Sequence, residues 1–188
     1  MSDNGAELMT PPNRPLRGAK HQPYEGGTRV PMLVKWPGVT PPDSVCKDDY
    51  VMIEDIFPTF LEMAGVKDYT QYGGKVDGTS FVPLLRGQNG LSRERAIFWH
   101  SPHFYRKQEP FSAVRKGDFK LIYHHADKRL ELFNIVEDVS ETRNLAQEHP
   151  EQVRELARVL GDRLREAGGQ MPIVKETGKP VPFPDETL

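Results

Sequence analysis

From position 150 to 167, apolar residues recur at Val153, Leu156, Ala157, Leu160 and Leu164. Steps of three and four put them on one stripe of an α-helix. Pro150 suits the first helical position and Gly168 a stop. Arg154, Glu155, Arg158, Arg163 and Arg165 fall on the other side and predict a solvated face. An amphipathic helix of this kind is stable only against a second layer. Residues 96–99, 111–116, 119–124 and 129–135 supply one, because each reads as a short strand. Lys116-Gly117-Asp118 reads as a hairpin connection between the middle pair. The expectation is a small antiparallel sheet of about four strands packed by the helix.

The chain before residue 96 is less regular. Residues 1–28 hold Pro11, Pro12, Pro15, Gly18, Pro23, Gly26 and Gly27 and read as loop, with room for one short helical turn. Residues 30–36 read as a strand that ends at Pro37-Gly38, with Pro31 removing one ladder donor. Residues 55–64 predict a helix with Asp55 as N-cap and Pro58 in its first turn. Its apolar face is Ile56, Phe57, Phe60, Leu61 and Ala64, and Gly65 is its stop. Residues 77–85 read as a turn followed by a short helical or extended piece, and 86–93 as a polar linker. The Pro-rich tail beyond Gly169 reads as extended.

Composition narrows the class. The 188 residues carry a formal net charge of −2, which argues against an electrostatic nucleic-acid binder or a polybasic membrane-surface protein. With 37% hydrophobic and 28% charged residues the chain is in the range of folded proteins. Its apolar runs, such as Phe-Val-Pro-Leu-Leu at 81–85, fall far short of the roughly 20 residues of a spanning helix. The one cysteine, Cys46, can form no intrachain disulfide, so packing must hold the fold. The N-terminus lacks a secretory pattern, which suggests a cytosolic chain or one whose original beginning is missing. Seventeen prolines and sixteen glycines imply many connections, where sites tend to sit.

Two stretches carry chemistry. Ser2-Asp3-Asn4-Gly5 sets two oxygen-bearing side chains before a glycine, donors of the kind that hard cations take, though the same residues make ordinary turns. Residues 15–31 read Pro-Leu-Arg-Gly-Ala-Lys-His-Gln-Pro-Tyr-Glu-Gly-Gly-Thr-Arg-Val-Pro. A lysine in such a Gly-rich loop suits a tetrahedral oxyanion.

Taken with Trp36-Pro37-Gly38, these stretches resemble the second half of a formylglycine-dependent, arylsulfatase-like sulfatase of the alkaline phosphatase superfamily. The resemblance continues in order through Asp55-Ile56-Phe57-Pro58-Thr59, Asp77-Gly78-Thr79-Ser80 and Trp99-His100-Ser101-Pro102-His103. It then takes in Arg115-Lys116-Gly117-Asp118-Phe119-Lys120-Leu121 and ends at Asn144-Leu145-Ala146. It implies that Asp3 and Asn4 match the later pair of calcium ligands and that Lys20 matches the lysine contacting the sulfate. Glu25, Gly26, Gly27 and Arg29 match the segment shaping the loop behind that lysine. His100 and His103 match a segment near the substrate mouth of some sugar-sulfate members. The resemblance also implies a periplasmic or secreted location for a full-length member.

One departure bears on mechanism. The formylglycine nucleophile arises from Cys or Ser in Cys/Ser-x-Pro-x-Arg, and this sequence has none. Cys46 is followed by Lys47-Asp48-Asp49, and Thr10-Pro11-Pro12-Asn13-Arg14 begins with the wrong residue. The family's early metal-binding aspartates, lysine and histidine are absent too. Calcium prefers 6 to 8 oxygen ligands, so its site is incomplete here and formylglycine is expected only on chain that precedes this one.

The resulting expectation is an α/β protein. Residues 1–86 form the last part of a mixed-sheet sulfatase catalytic domain, and residues 87–188 a small antiparallel sheet packed by a C-terminal helix. The chain is expected to act on sulfated sugars or other sulfate esters as part of a sulfatase, to be inactive alone, and to self-associate through uncovered apolar surface. The rivals are a non-catalytic glycan-binding module and a phosphodiester or phosphonate hydrolase of the same superfamily. His124 and His125 read as polar surface or substrate-side residues. Asp138, Glu141 and Asn144 read as a polar capping loop.

Overall fold

A computed structural model describes residues 1–7, 13–47, 49–66, 68, 75–88, 90–92, 94–105 and 108–188. Thr10, Pro11, Pro12 and Asp48, named above, lie outside the described residues. The chain divides into two compact units, Met1–Met32 with Ala96–Leu188, and Leu33–Arg95. The first 32 residues group with the sheet that follows residue 95 because they are bonded to it.

The first unit holds strands β1 (Ala96–Ser101), β2 (Phe111–Lys116), β3 (Phe119–His124) and β4 (Leu130–Asn134) in one antiparallel sheet, order β1-β2-β3-β4. All four expected strands are present. Gly117, at φ +59°, opens the two-residue connection between β2 and β3, a conformation that glycine enters at little steric cost. Strand alternation sorts the side chains. Val114, Leu121, Tyr123 and Leu132 face one side. There they meet Val153, Leu156, Ala157, Leu160 and Leu164 of the helix Pro150–Glu166. The predicted stripe is therefore the buried one. Each fully buried Leu contributes about 1.5–3 kcal/mol.

The tail does not run free. Ile173 bridges to Pro180, Val181 joins the core, and the Tyr123 hydroxyl donates to Pro182 O at 2.9 Å. Arg165, expected in solvent, holds Asp185 at 2.9 Å and Glu186 at 3.1 Å. A Cβ on Gly161 would sit 1.9 Å from Asp185 Oδ1, so a side chain there would have to push the carboxylate away from Arg165.

The other face of the sheet carries Phe111, Ala113, Ile122 and Phe133, covered by Tyr24 and Trp99. Between these apolar residues lie Lys120, His124 and Glu131, all buried. The segment that binds them is the short helix α1 (Glu25–Thr28) and the loop before it.

The second unit contains α2 (Ile56–Met63) and α3 (Val82–Leu85); the helix Pro150–Glu166 of the first unit is α4. Each of α2, α3 and α4 ends on a glycine with positive φ, at Gly65, Gly87 and Gly168. At each end two bonds return to the last turn, as in Val66 N to Leu61 O and Gly65 N to Glu62 O.

Asp55 does not cap α2. Its carboxylate turns back to accept Met52 N–H at 2.7 Å and Thr79 N–H at 2.8 Å. It also takes both arms of the Arg95 fork at 2.8 and 2.7 Å. Fully buried, Asp55 joins the Asp55–Thr59 and Asp77–Ser80 motifs into one structure. The Thr59 hydroxyl adds to it by donating to Asp55 O and accepting Phe81 N–H.

The apolar face expected on α2 is open: Phe57 is 58% and Phe60 62% exposed. Residues 30–36 form no ladder. Their side chains alternate between exposed and half-buried, as in an extended strand, with no described strand to pair with.

Candidate active site

Glycine stacking builds the loop that carries Lys20. Gly26 N–H donates to Arg17 O at 2.7 Å, and Gly5 N–H to Gly27 O at 3.1 Å. A Cβ on Gly5 would lie 1.8 Å from Gly26 O; one on Gly26, 2.3 Å from Gly18 O; one on Gly27, 2.2 Å from Gln22 O. Any side chain at these positions would separate segments that touch through their backbones. Lys20 N–H donates to Ala6 O at 2.9 Å, and the Asn13 amide donates to Gly18 O and Gly26 O. The segment bearing Asp3 and Asn4 is thereby bonded to the loop bearing Lys20.

The Lys20 side chain is 31% exposed and its ammonium lies 3.3 Å from Glu7 Oε1. Such a surface pair is weak, and an incoming anion can compete with it. Asp3 is exposed and Asn4 half-buried. A carboxylate and an amide oxygen are hard donors that suit calcium. Among the described residues no group of three or more His, Cys, Asp or Glu is placed to hold a metal. Asp3 and Asn4 are donor types that calcium accepts, and a calcium shell of 6 to 8 oxygens would need most of its ligands from other residues.

Behind α1 the anchoring is ionic and dry. Lys120 Nζ lies 2.9 Å from Glu25 Oε1 and 3.2 Å from Glu141 Oε1, the latter without hydrogen-bond geometry. Glu141 Oε2 accepts Glu25 N–H at 2.6 Å, and Glu141 O accepts Arg17 at 2.8 Å. Glu141 is fully buried and not a surface cap; burial raises its pKa against the opposing pull of Lys120. Asp138 does cap, accepting Thr142 N–H and Arg143 N–H.

Beside them the Arg17 guanidinium lies 3.8 Å over the Tyr24 ring. The Tyr24 hydroxyl donates to Glu131 at 2.9 Å, and His124 Nε2 meets the same oxygen at 2.8 Å. Burial and the neighbouring carboxylate push the Tyr24 hydroxyl up to about 12. For Glu131 burial alone would raise the pKa, but the bonds from His124 and Tyr24 outweigh it and lower it.

The histidines sort into two groups. His100 is tied at both ring nitrogens, Nδ1 to Ser112 Oγ at 2.8 Å and Nε2 to Gln170 O at 3.1 Å. Ser112 Oγ also meets His125 Nε2 at 2.8 Å. His124 and His125 are buried, 5% and 2% exposed, and not surface residues. Their position follows from the sheet, since His124 ends β3 and His125 N–H donates to Pro110 O at 3.0 Å. His103 is exposed on the loop after β1. That loop reaches the Lys20 loop: the Tyr105 and His21 ring centroids are 4.2 Å apart.

Sequence reasoning placed Lys120 in a motif and Glu141 in a capping loop, and missed their buried pairing with each other and with Glu25. A lysine among apolar strand residues was the available signal for Lys120.

The fold and this loop define the C-terminal region of a sulfatase. A family model described as N-sulphoglucosamine sulphohydrolase, C-terminal, matches residues 19–170, and the chain belongs to that family. A sulfatase of Formosa agariphila is 37% identical over 87% of this chain and 31% of its own length. The N-acetylgalactosamine-6-O-sulfatase of Bacteroides thetaiotaomicron is 28% identical over 77% of this chain and 29% of its own. The crystal structure of Ps i-CgsB in complex with k-i-k-neocarrahexaose superimposes with a TM-score of 0.71 at 27% identity. That superposition covers 86% of this chain and 34% of the other. The chain thus spans about a third of the length of these relatives. No helix among the described residues is long and apolar enough to cross a membrane.

Proposed function

We propose that this chain is the sulfate-binding, C-terminal part of a sulfatase acting on sulfated sugars, and that it lacks hydrolytic activity alone. Lys20 contacts the sulfate oxygens, Asp3 and Asn4 supply two calcium ligands, and His103 lies on the substrate side. His100 serves the fold instead, since both its ring nitrogens are engaged. One observation carries the reading: Lys20 N–H to Ala6 O and Gly5 N–H to Gly27 O join the two chemistry-bearing stretches in one loop cluster.

When bound, calcium would polarise sulfate oxygens, and formylglycine on another stretch of chain would supply the attacking group. Within this chain, Lys20 offers a point charge to the sulfate, and the glycine stack and Lys120 hold its loop in place. The carbohydrate assignment is supported by the hexaose in the Ps i-CgsB complex and by the named activity of the Bacteroides relative.

The test uses a chromogenic aryl sulfate and a sulfated hexasaccharide. The purified chain should show no turnover above Lys20→Ala, and Lys20→Ala should weaken hexasaccharide binding about fivefold or more. Turnover by the chain, or equal binding by the variant, overturns the proposal. Tighter binding of a phosphonate than of a sulfate would favour the phosphonate-hydrolase alternative.

A further inference from the structure

We infer that Glu141 is the positioning residue of the Lys20 loop: it grips the neck of that loop on both sides and ties it to the sheet. The role rests on the reading of Lys20 as the sulfate contact.

The loop runs from Arg17 to Gly26, and Gly26 N–H closes its ends by donating to Arg17 O at 2.7 Å. Compact loops of this length with joined ends frequently carry function. Lys20 lies within it. His21, the next residue, sits at φ +70°, in the left-handed region that few residues other than glycine adopt. A turn held at such a steric cost keeps its shape only where its surroundings over-determine it.

Some of the bracing is local. The Asn13 amide donates to Gly18 O at 3.1 Å and to Gly26 O at 2.9 Å. The bracing to the sheet comes from Glu141. Its carbonyl accepts Arg17 Nη1 at 2.8 Å, and its Oε2 accepts Glu25 N–H at 2.6 Å. Arg17 and Glu25 stand on opposite sides of the neck. Lys120 meets the neck on its C-terminal side, at Glu25 and Thr28.

The conformation of Glu141 points the same way. It sits at φ +51° and is fully buried, whereas Asp43 and Lys128, which share the left-handed region, are exposed. Glycine would take this backbone at little cost but would offer Glu25 N–H no acceptor. Flanking bonds hold the strained residue. Glu141 N–H donates to Asp138 O at 3.0 Å, and the Asp138 carboxylate accepts Thr142 and Arg143 N–H at 2.7 and 2.9 Å. Asn144 Oδ1 accepts Leu132 N–H at 3.0 Å, which fixes the turn to β4. Glu141 Oε1, also buried, lacks a hydrogen bond. Backbone strain and a buried oxygen short of a partner both cost stability, and holding Lys20 in place accounts for their retention.

The test measures amide exchange and sugar binding on the 188-residue chain. Glu141→Gly removes the carboxylate grip on Glu25. Arg17 is exposed, so Arg17→Met removes the other grip with the buried cluster intact. Each should raise exchange of the Lys20 and Gly26 amides about tenfold and leave Leu160 in α4 within about twofold. Glu141→Gln keeps an oxygen for Glu25 N–H and should return both loop amides to within about threefold of the parent chain. Leu160→Ala opens the core away from the loop and should leave those amides within about threefold. Affinity for a chondroitin 6-sulfate hexasaccharide should fall about fivefold in Glu141→Gly and Arg17→Met and recover in Glu141→Gln, with its desulfated counterpart unaffected. If Leu160→Ala frees the Lys20 amide as much as Glu141→Gly does, Glu141 is only a source of stability and the positioning role is overturned. Loop variants that exchange, or bind the sulfated sugar, within twofold of a sulfate-preferring parent chain overturn it too. If the exchange pattern holds but the parent chain shows no preference for the sulfated sugar, the brace stands and the sulfate reading of Lys20 falls.

Discussion

Lys120 Nζ lies 2.9 Å from Glu25 Oε1, with both side chains closed off from water and 95 residues apart in sequence. This pair fastens the loop of Lys20 to the second face of the C-terminal sheet. Removing one member of a buried ion pair strands the other's charge, at a cost of about 3–5 kcal/mol. Lys120→Met should lose stability of that order in urea unfolding. Amide exchange in residues 16–28 should rise more than in α4. Equal protection of that loop in the variant would show that it is held by other means.

Two glycine substitutions should differ in kind. Gly26→Ala brings a Cβ within 2.3 Å of Gly18 O, a backbone atom with no room to yield. Overpacking of this type costs about 1–3 kcal/mol, and backbone resonances of Gly5, Lys20 and Gly27 should shift with it. Gly168→Ala meets nothing within 4 Å, but its φ is +63°. Its cost should be the left-handed penalty of about 1–2 kcal/mol, with shifts confined to the end of α4.

His125 sets a pH dependence. Burial first, then the neighbouring His100 and His124, lower its pKa to about 3. The unfolded imidazole, with a pKa near 6.5, binds a proton that the folded one refuses. Stability from this group is therefore complete above the unfolded pKa and is lost as pH falls toward 3, by about 1.4 kcal/mol per pH unit. His100, also lowered by burial, acts in the same direction. Denaturation midpoints measured from pH 7 to pH 4.5 should fall in the parent chain and fall less steeply in His125→Gln.

In the second unit, Arg95→Lys keeps a charge beside Asp55 but loses the fork that meets both carboxylate oxygens. Thermal unfolding should show a clear loss, and Arg95→Ala a larger one of about 3–5 kcal/mol, because the Asp55 carboxylate stays buried. A midpoint unchanged by Arg95→Ala would contradict the fork's structural role.

Leu33 is 88%, Ile53 66%, Phe57 58% and Phe60 62% exposed. We propose that these side chains drive self-association of the isolated chain. Light scattering should give a mass above 21.4 kDa that falls in the Phe57→Ser, Phe60→Ser double variant. A monomer at all concentrations would end the proposal.

Local patterns carried much of the architecture into view. The stripe from Val153 to Leu164, the Gly117 hairpin and the glycine stops all act through neighbours in sequence, so spacing exposes them. Lys20 and its Gly-rich surroundings were legible for the same reason. Glu141 and His125 were not, because their burial depends on partners distant in sequence; Lys120 showed itself only as a lysine among apolar strand residues, with no sign of the carboxylates it meets. Asp55 misled because Asp before a helix suits an N-cap, and a half-buried arginine 40 residues on, with two backbone N–H groups, outcompeted the helix for its oxygens. The strand expected at 30–36 is not among the described strands; its side chains alternate in exposure, but a ladder needs a second strand.

The division of contacts has a practical corollary for anyone exchanging parts between relatives. Residues 33–95 enter and leave a unit formed by the chain on either side of them. A chimera cut only at residue 86 would couple one parent's lysine loop to another parent's sheet, with mismatched partners at the Glu25, Lys120 and Glu141 junction. Grafting 33–95 as a cassette, with both flanks from one parent, preserves that junction.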